Sequence, residues 1–377
     1  MRDGWVTKRL GDAATLQRGF DLPTQDRVSG TVPLVSSSGI IDTHDKSAVR
    51  GPGVVTGRSG SIGNIFFIEE DFWPLNTTLY VKDFHGNDPR FVFYLLKRFD
   101  LNRFATGSGV PTLNRNFVHD ELVNLPIFAE QQRIVGILDE ALDGIATANS
   151  NAEKNLQNAR ALFESHLQAV FTQRGEGWAE TTLGDVCQFE NGDRGKNYPN
   201  REEYVESGIP WINTGHIQPD GTLSQSEMNF ISQEKYASLR SGKIQPGDLV
   251  YCLRGATLGK TALVDPFTVG AVASSLVIIR PSNSLDRRYL YYFLTSPLGQ
   301  GLIKLYDNGA AQPNLGAKSV AKYKISLPSL AEQRAIVSRL TDLDEETQHL
   351  ESIYRQKLAA LDALKKSLLD QAFTGLL

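Results

Sequence analysis

The segment closest to recognisable chemistry is Arg254-Gly255-Ala256-Thr257-Leu258-Gly259-Lys260-Thr261, which resembles a glycine-rich phosphate loop. Such a loop needs four residues between its glycines, and this one has three. Its counterpart, Arg58-Ser59-Gly60-Ser61-Ile62-Gly63-Asn64, lacks the lysine and hydroxyl that would follow. A tight turn between strands is the reading. Carboxylate–lysine nuclease chemistry needs an acidic residue two positions before a lysine, so that both share a metal-bound water. No such triplet occurs. Amino-methyltransferase chemistry needs a Pro-Pro loop to grip a flipped base, and the chain has no adjacent prolines. The six histidines form no HxH or HxxxH pair, and Cys187 and Cys252 form no CxxC. Catalytic residues and metal ligands are therefore expected to be none.

What must be positioned, then, is something other than an active site. The 377 residues are 41% hydrophobic and 22% charged, an ordinary globular balance. Lys and Arg number 39 against 43 Asp and Glu, so the chain is not a basic nucleic-acid tail. Two cysteines suit a reducing compartment. With no apolar leader or spanning run, a cytoplasmic location is expected.

The chain is duplicated. Gly4-Trp5-Val6-Thr7-Lys8-Arg9-Leu10-Gly11-Asp12 returns as Gly177-Trp178-Ala179-Glu180-Thr181-Thr182-Leu183-Gly184-Asp185, offset by 173. The Arg58 and Arg254 segments align at an offset of 196, and Leu125-Pro-Ile-Phe-Ala-Glu-Gln131 aligns with Leu327-Pro-Ser-Leu-Ala-Glu-Gln333 at 202. That last offset holds to Phe171-Thr172 and Phe373-Thr374. Loops absorb insertions, whereas a packed helix cannot without turning its buried face. Each copy is thus a variable head followed by a rigid helical arm.

The second arm carries Ile336, Leu340, Leu343, Thr347, Leu350, Tyr354, Lys357, Leu361, Leu364 and Leu368 at heptad spacing. Ser329 and Glu332 form a capping-box signature at its start. The first arm repeats the spacing with more alanine, from Ile134 to Phe163. An isolated helix of this length is a poor structure in water, so the two arms are expected to pair within the chain. Antiparallel pairing would relate the heads by a pseudo-two-fold axis. In the heads, β-branched runs predict strands at 53–56, 65–68, 78–81, 122–125, 248–253, 276–279 and 323–327, with helices at 89–99 and 287–295. The fold class is α+β: two similar domains of mixed sheet and short helices, with two long helices forming an antiparallel coiled coil. The boundaries are 1–126 and 176–328 for the heads, 127–175 and 329–377 for the arms.

Ile209-Pro-Trp-Ile-Asn-Thr-Gly-His-Ile217, Pro246-Gly-Asp-Leu-Val250 and the two Leu-Pro-x-x-Ala-Glu-Gln segments resemble the specificity (S) subunit of type I restriction–modification systems. The resemblance spans essentially the whole chain. It implies that each head is a target recognition domain for one half of a bipartite, asymmetric DNA site. It implies that the arms space the heads and dock two methyltransferase (M) subunits, with restriction (R) subunits joining them. No cofactor belongs to this chain; S-adenosylmethionine is expected in the M subunits, and ATP and Mg in the R subunits. Base reading then falls to polar side chains near glycine turns, where backbone can approach a groove. In the first head these are Ser36, Ser37, Arg58, Ser59, Ser61, Asn64, Ser108, Asn114 and Arg115. In the second they are Asn213, Thr214, His216, Arg254, Thr257, Lys260, Gln312 and Asn314. Trp5 and Trp178 are expected to anchor cores rather than stack on bases. Each head has equal numbers of basic and acidic residues and both arms are acidic, so the chain alone should bind DNA weakly. A helical scaffold whose heads take protein partners fits duplication and arms equally.

Overall fold

The computed structural model describes residues 4–107, 111–173, 175–306 and 314–377. Two compact units emerge: Met1–Lys154 with Tyr354–Leu377, and Asn155–Ile353. Each combines one head with parts of both arms.

In the first unit, the strands Thr15–Arg18, Thr78–Asp83, Gly53–Gly57 and Ile65–Ile68 form an antiparallel sheet in that order. A second sheet sets Gly39–His44 beside Val32–Ser36, with Trp73–Pro74 parallel on the far side. Val6–Arg9 pairs with Leu122–Leu125 and so closes the head just before its arm begins. The helix Pro89–Arg98 covers the first sheet, capped by Asp88, whose carboxylate accepts from the Arg90 and Phe91 N–H groups.

The second unit repeats the plan. Cys187–Asn191, Leu276–Pro281, Leu249–Cys252 and Thr261–Leu263 make the first sheet. Tyr204–Val205, Asn229–Ile231, Ile209–Ile212 and Ala271–Val272 make the second, again ending on a parallel pair. Ala179–Thr182 pairs with Lys324–Leu327, and Asp286 caps the helix Arg287–Thr295. Strands buried on both faces, such as Leu249–Cys252, read as continuous apolar runs rather than alternating ones.

Both arms are uninterrupted helices, Phe128–Thr172 and Leu330–Thr374. In the first unit Ile134 and Leu138 share a core with Leu369, Ala372 and Phe373; in the second, Leu167 and Phe171 share one with Ile336 and Leu340. In each unit, therefore, the start of one arm lies with the end of the other, as antiparallel helices require. Arg160 reinforces the second pairing with two bonds to the Glu351 carboxylate, at 2.8 and 3.1 Å. The heptad reading needs one correction. Leu350 and Leu364, placed in the seam, are exposed, whereas Thr347 is buried. Lys357 is exposed as well, and the covered line passes through the half-buried Glu351 and Leu358, each next to the position the heptad assigns, because a helix of 3.6 residues per turn drifts from a 3.5-residue repeat. Trp5 and Trp178 pack half-buried against the two cores, as anchors. Among the described residues no helix is long and apolar enough to cross a membrane.

Candidate nucleic-acid interface

Each head builds its rim from a glycine at the end of a strand. A Cβ on Gly19 would lie 2.3 Å from the Leu75 carbonyl oxygen; on Gly192 it would lie 2.5 Å from those of Val272 and Ala273. Only hydrogen fits there. The chain leaves the first sheet tight against the second, and the next residues emerge at the rim.

In the second head the next residue is Asp193, which is buried. Its carboxylate accepts from the backbone N–H of Arg240 at 2.8 Å and of Arg194 at 2.7 Å. These bonds, Arg240's first, hold its pKa below the ordinary carboxylate value. Asp193 thereby fixes the stems of two arginines. The Arg240 side chain is 71% exposed, and one guanidinium nitrogen donates to the Arg194 carbonyl at 3.2 Å. Arg194 in turn donates to the Ser274 carbonyl at 3.3 Å. Beyond Leu249–Cys252, the exposed Arg254 is bridged to Asn314 through the backbone, just before Gly255 turns at positive φ. These residues line an open cleft of about 610 Å³ whose charged walls, among the described residues, are Arg194, Arg240 and Arg254 against Asp193. Such a surface attracts anions, and arginine forks fit a phosphate or the acceptor edge of guanine.

The first head differs at the same place. Phe20 stands where the second head has Asp193 and packs against Trp73 and Tyr80. Asp21 takes a hydrogen bond from the Asn76 amide and lies 3.7 Å from Arg18. The Nε of Arg58 donates to the Asn76 carbonyl at 3.0 Å. Burial, with the charge of Arg18 added, lowers the Arg58 pKa. A polar, arginine-bearing rim forms here too, without the cleft's second tier.

The backbone corrects the alignment of the two heads. Arg58 N–H donates to the Thr77 carbonyl as Leu253 N–H does to that of Ser275, and bridges join Ser59 to Thr112 and Arg254 to Asn314. Arg254 therefore corresponds to Ser59, and Arg58 to the buried Leu253. The extra residue lies between Gly255 and Gly259, compared with Gly60 and Gly63, all four at positive φ. The one-residue difference in turn length is what brings Arg58 and Arg254 into line when Gly63 is matched with Gly259.

Two candidates turn inward. Ser36 is buried, its hydroxyl bonded to Ser38 Oγ and the Gly39 carbonyl. His216 is buried as well, its Nδ1 accepting from the Asn213 N–H at 3.1 Å. In both, the polar atoms are engaged inside the turn. Asn213 and Asn114 cap short helical turns through their side chains. Ser37 sits over the Gly57–Gly60 turn. Ser59, Thr214 and Thr257 are half-buried, while Ser61, Asn64, Arg115 and Lys260 are exposed. Thr257 and Lys260 line a separate cleft of about 320 Å³ with Gln218 and Gln300. Ser108 and Gln312 lie outside the described residues. Arg194, Arg240, Arg18 and Asn76 were not foreseen. A glycine at the strand end, recurring at the offset of the head openings, was the signal available for Arg194 and Arg18. Arg240 had none, since it lies in a segment between Asn229–Ile231 and Leu249–Cys252 that is far shorter in the first head.

Comparison with known proteins agrees with this geometry. The type I restriction modification DNA specificity domain matches residues 2–157 and again 175–359. The EcoBI specificity subunit of Escherichia coli is 24% identical, over 100% of this chain and 86% of that protein. The MjaVIII specificity subunit of Methanocaldococcus jannaschii is 23% identical, over 76% and 70%. A solved structure describing complex assembly and conformational transition of a type I restriction–modification system superposes with a TM-score of 0.78, at 21% identity, over 99% of this chain and 98% of that one. The HsdS subunit of Thermoanaerobacter tengcongensis gives 0.59, at 22% identity, over 100% and 98%. With two copies of that domain on a matching fold, the chain belongs to the type I restriction–modification DNA specificity family.

Proposed function

We propose that the chain is the non-catalytic, sequence-reading subunit of a type I restriction–modification complex. Each head reads one half of a bipartite, asymmetric DNA site, and the paired arms set the gap and dock two methyltransferase subunits. Restriction subunits complete the assembly; S-adenosylmethionine is bound by the methyltransferase partners, and ATP and Mg by the restriction partners. The observation that carries this reading is a duplicated scaffold whose two rims present different arginine-bearing surfaces, as two unlike half-sites demand. In the second head Arg254, Arg240 and Arg194 take the guanine or phosphate contacts, with Asn314 beside them. In the first head Arg58, Arg18, Ser59 and Arg115 hold the corresponding rim. Exposed Leu162, Leu350, Ile353 and Leu364 give the arms apolar surface for the methyltransferases. Neither head has net positive charge, so affinity depends on phosphate contacts from those partners. A scaffold reading protein partners finds no support in a DNA specificity family.

The test exchanges residues 176–328 for the corresponding head of a different specificity subunit. Methylation mapping of the complex should show one half of the recognised motif replaced and the other unchanged. An unaltered motif, or two altered halves, would end the reading.

A further inference from the structure

Each arm begins at a buried amide. Gln131 is 2% exposed and Gln333 is 0% exposed. The Gln131 Oε1 accepts from the Asp88 N–H at 2.9 Å, and its Nε2 donates to Asn87 Oδ1 at 2.8 Å and to the Pro126 carbonyl at 3.0 Å. The Gln333 Oε1 accepts from the Asp286 N–H at 2.8 Å, and its Nε2 donates at 2.9 Å to the carbonyls of Ser284 and Pro328. In both heads, then, one side chain on the first turn of the arm binds two places. One is the backbone leaving the closing ribbon; the other is the cap of the head's covering helix. Both N–H bonds and the acceptor are used. The cap and proline bonds recur although the rims of the two heads have diverged.

We propose that Gln131 and Gln333 are positioning residues that fix the direction in which each arm leaves its head, and with it the gap at which the two half-sites are read. The apolar contacts at these junctions, such as Phe91 with Phe373 and Phe171 with Tyr289, bury area but are weakly directional. Three hydrogen bonds from one planar amide, each sensitive to angle, are not. Leverage makes the angle matter. A head of about 126 residues is about 36 Å across, so a tilt of about 5° where it meets its arm swings its far side by about 3 Å, close to one base-pair rise of about 3.4 Å. This inference rests on the recognition role proposed above.

The experiment uses the complex with methyltransferase subunits and S-adenosylmethionine. Methylation rates are measured on DNAs carrying the two half-sites at the natural gap and at gaps one or two base pairs longer and shorter. The wild type should favour one gap strongly. Gln131→Leu and Gln333→Leu, made singly, should lower that preference by about tenfold or more while leaving the base preferences of each half intact. If either variant fails to fold, Gln131→Asn or Gln333→Asn keeps the amide but shortens its reach, and the same loss of gap preference is expected. Rates that fall equally at every gap, or do not change, would make the amides merely structural and overturn the proposal. A wild type with no preferred gap would instead overturn the recognition role beneath it.

Discussion

The two heads agree where backbone meets backbone and disagree where side chains face outward. Gly19 and Gly192 occupy the same pinch against neighbouring carbonyls, and Gln131 and Gln333 each accept the N–H of the helix cap and donate to the proline carbonyl before the arm. One residue beyond the glycine, the first head places an aromatic ring and the second a buried carboxylate that steers two arginines. The longer segment carrying Arg240 then adds a second tier to one rim only. Identity is kept where backbone packs on backbone, and the change beyond the glycine, though Asp193 is itself buried, is one whose consequences reach the rim. Two such rims on one frame are suited to reading different sequences.

The largest effect that would break this contrast is on recognition. Arg240→Ala combined with Arg254→Ala should lower methylation of the cognate site by about two orders of magnitude, at about 1–3 kcal/mol for each lost contact. The loss should relax only the half read by the second head. Arg18→Ala with Arg58→Ala should relax only the other half. Methylation mapping of both variants decides; if both relax the same half, the heads do not read separately.

A smaller effect tests the shared frame. Gly192→Ala and Gly19→Ala should each destabilise their own unit by about 1–3 kcal/mol, because a methyl group at either position overlaps carbonyl oxygens at 2.5 Å or less. Denaturant unfolding of each variant measures this. Equal costs in the two heads would sharpen the comparison, and a neutral substitution in one would show that its frame is looser than the other's.

Much of this frame was legible. Ile65–Ile68, Leu122–Leu125 and Arg287–Thr295 fall where hydrophobic period and caps put them, because local pattern and tertiary burial agree there. Trp73–Pro74 and Ala271–Val272 were not legible. Two-residue strands carry no alternation, and partners distant in sequence define them. The rim was hardest. His216 looked like a polar loop group, but Asn213 caps its turn and draws the ring inward. Arg58 and Arg254 looked equivalent because similar glycine turns follow them, and only the ladder of backbone bonds separates them by one residue. The Glu-Gln pair of each arm stood out as a repeat, yet nothing in its spacing told that the glutamine, rather than the cap before it, ties head to arm.

The smallest expected effect is in acid, and it too compares the heads. Each holds a neutral imidazole that accepts a backbone N–H: the half-buried His119 Nε2 from Leu16 at 2.8 Å, and the buried His216 Nδ1 from Asn213 at 3.1 Å. Burial lowers both pKa values below 6.5. Arg115 adds to the shift at His119, where Asp120 opposes it, and Glu227 opposes it at His216. Below pH 6.5 the unfolded chain takes up these protons before the folded one, so the unfolded state binds more protons and stability rises with pH. Falling pH must therefore cost stability, starting near 6.5 and levelling once the folded imidazoles also protonate and give up their accepting lone pairs. Thermal melts at about pH 7.5 and about pH 5.5 should show this loss in the wild type. His119→Gln and His216→Gln keep an acceptor that does not titrate, so each should shrink the difference by its own share. If His216→Gln shrank it and His119→Gln did not, the half-buried imidazole of the first head would be titrating as a solvent-exposed group, and the parallel between the two heads would stop at their glycines and glutamines.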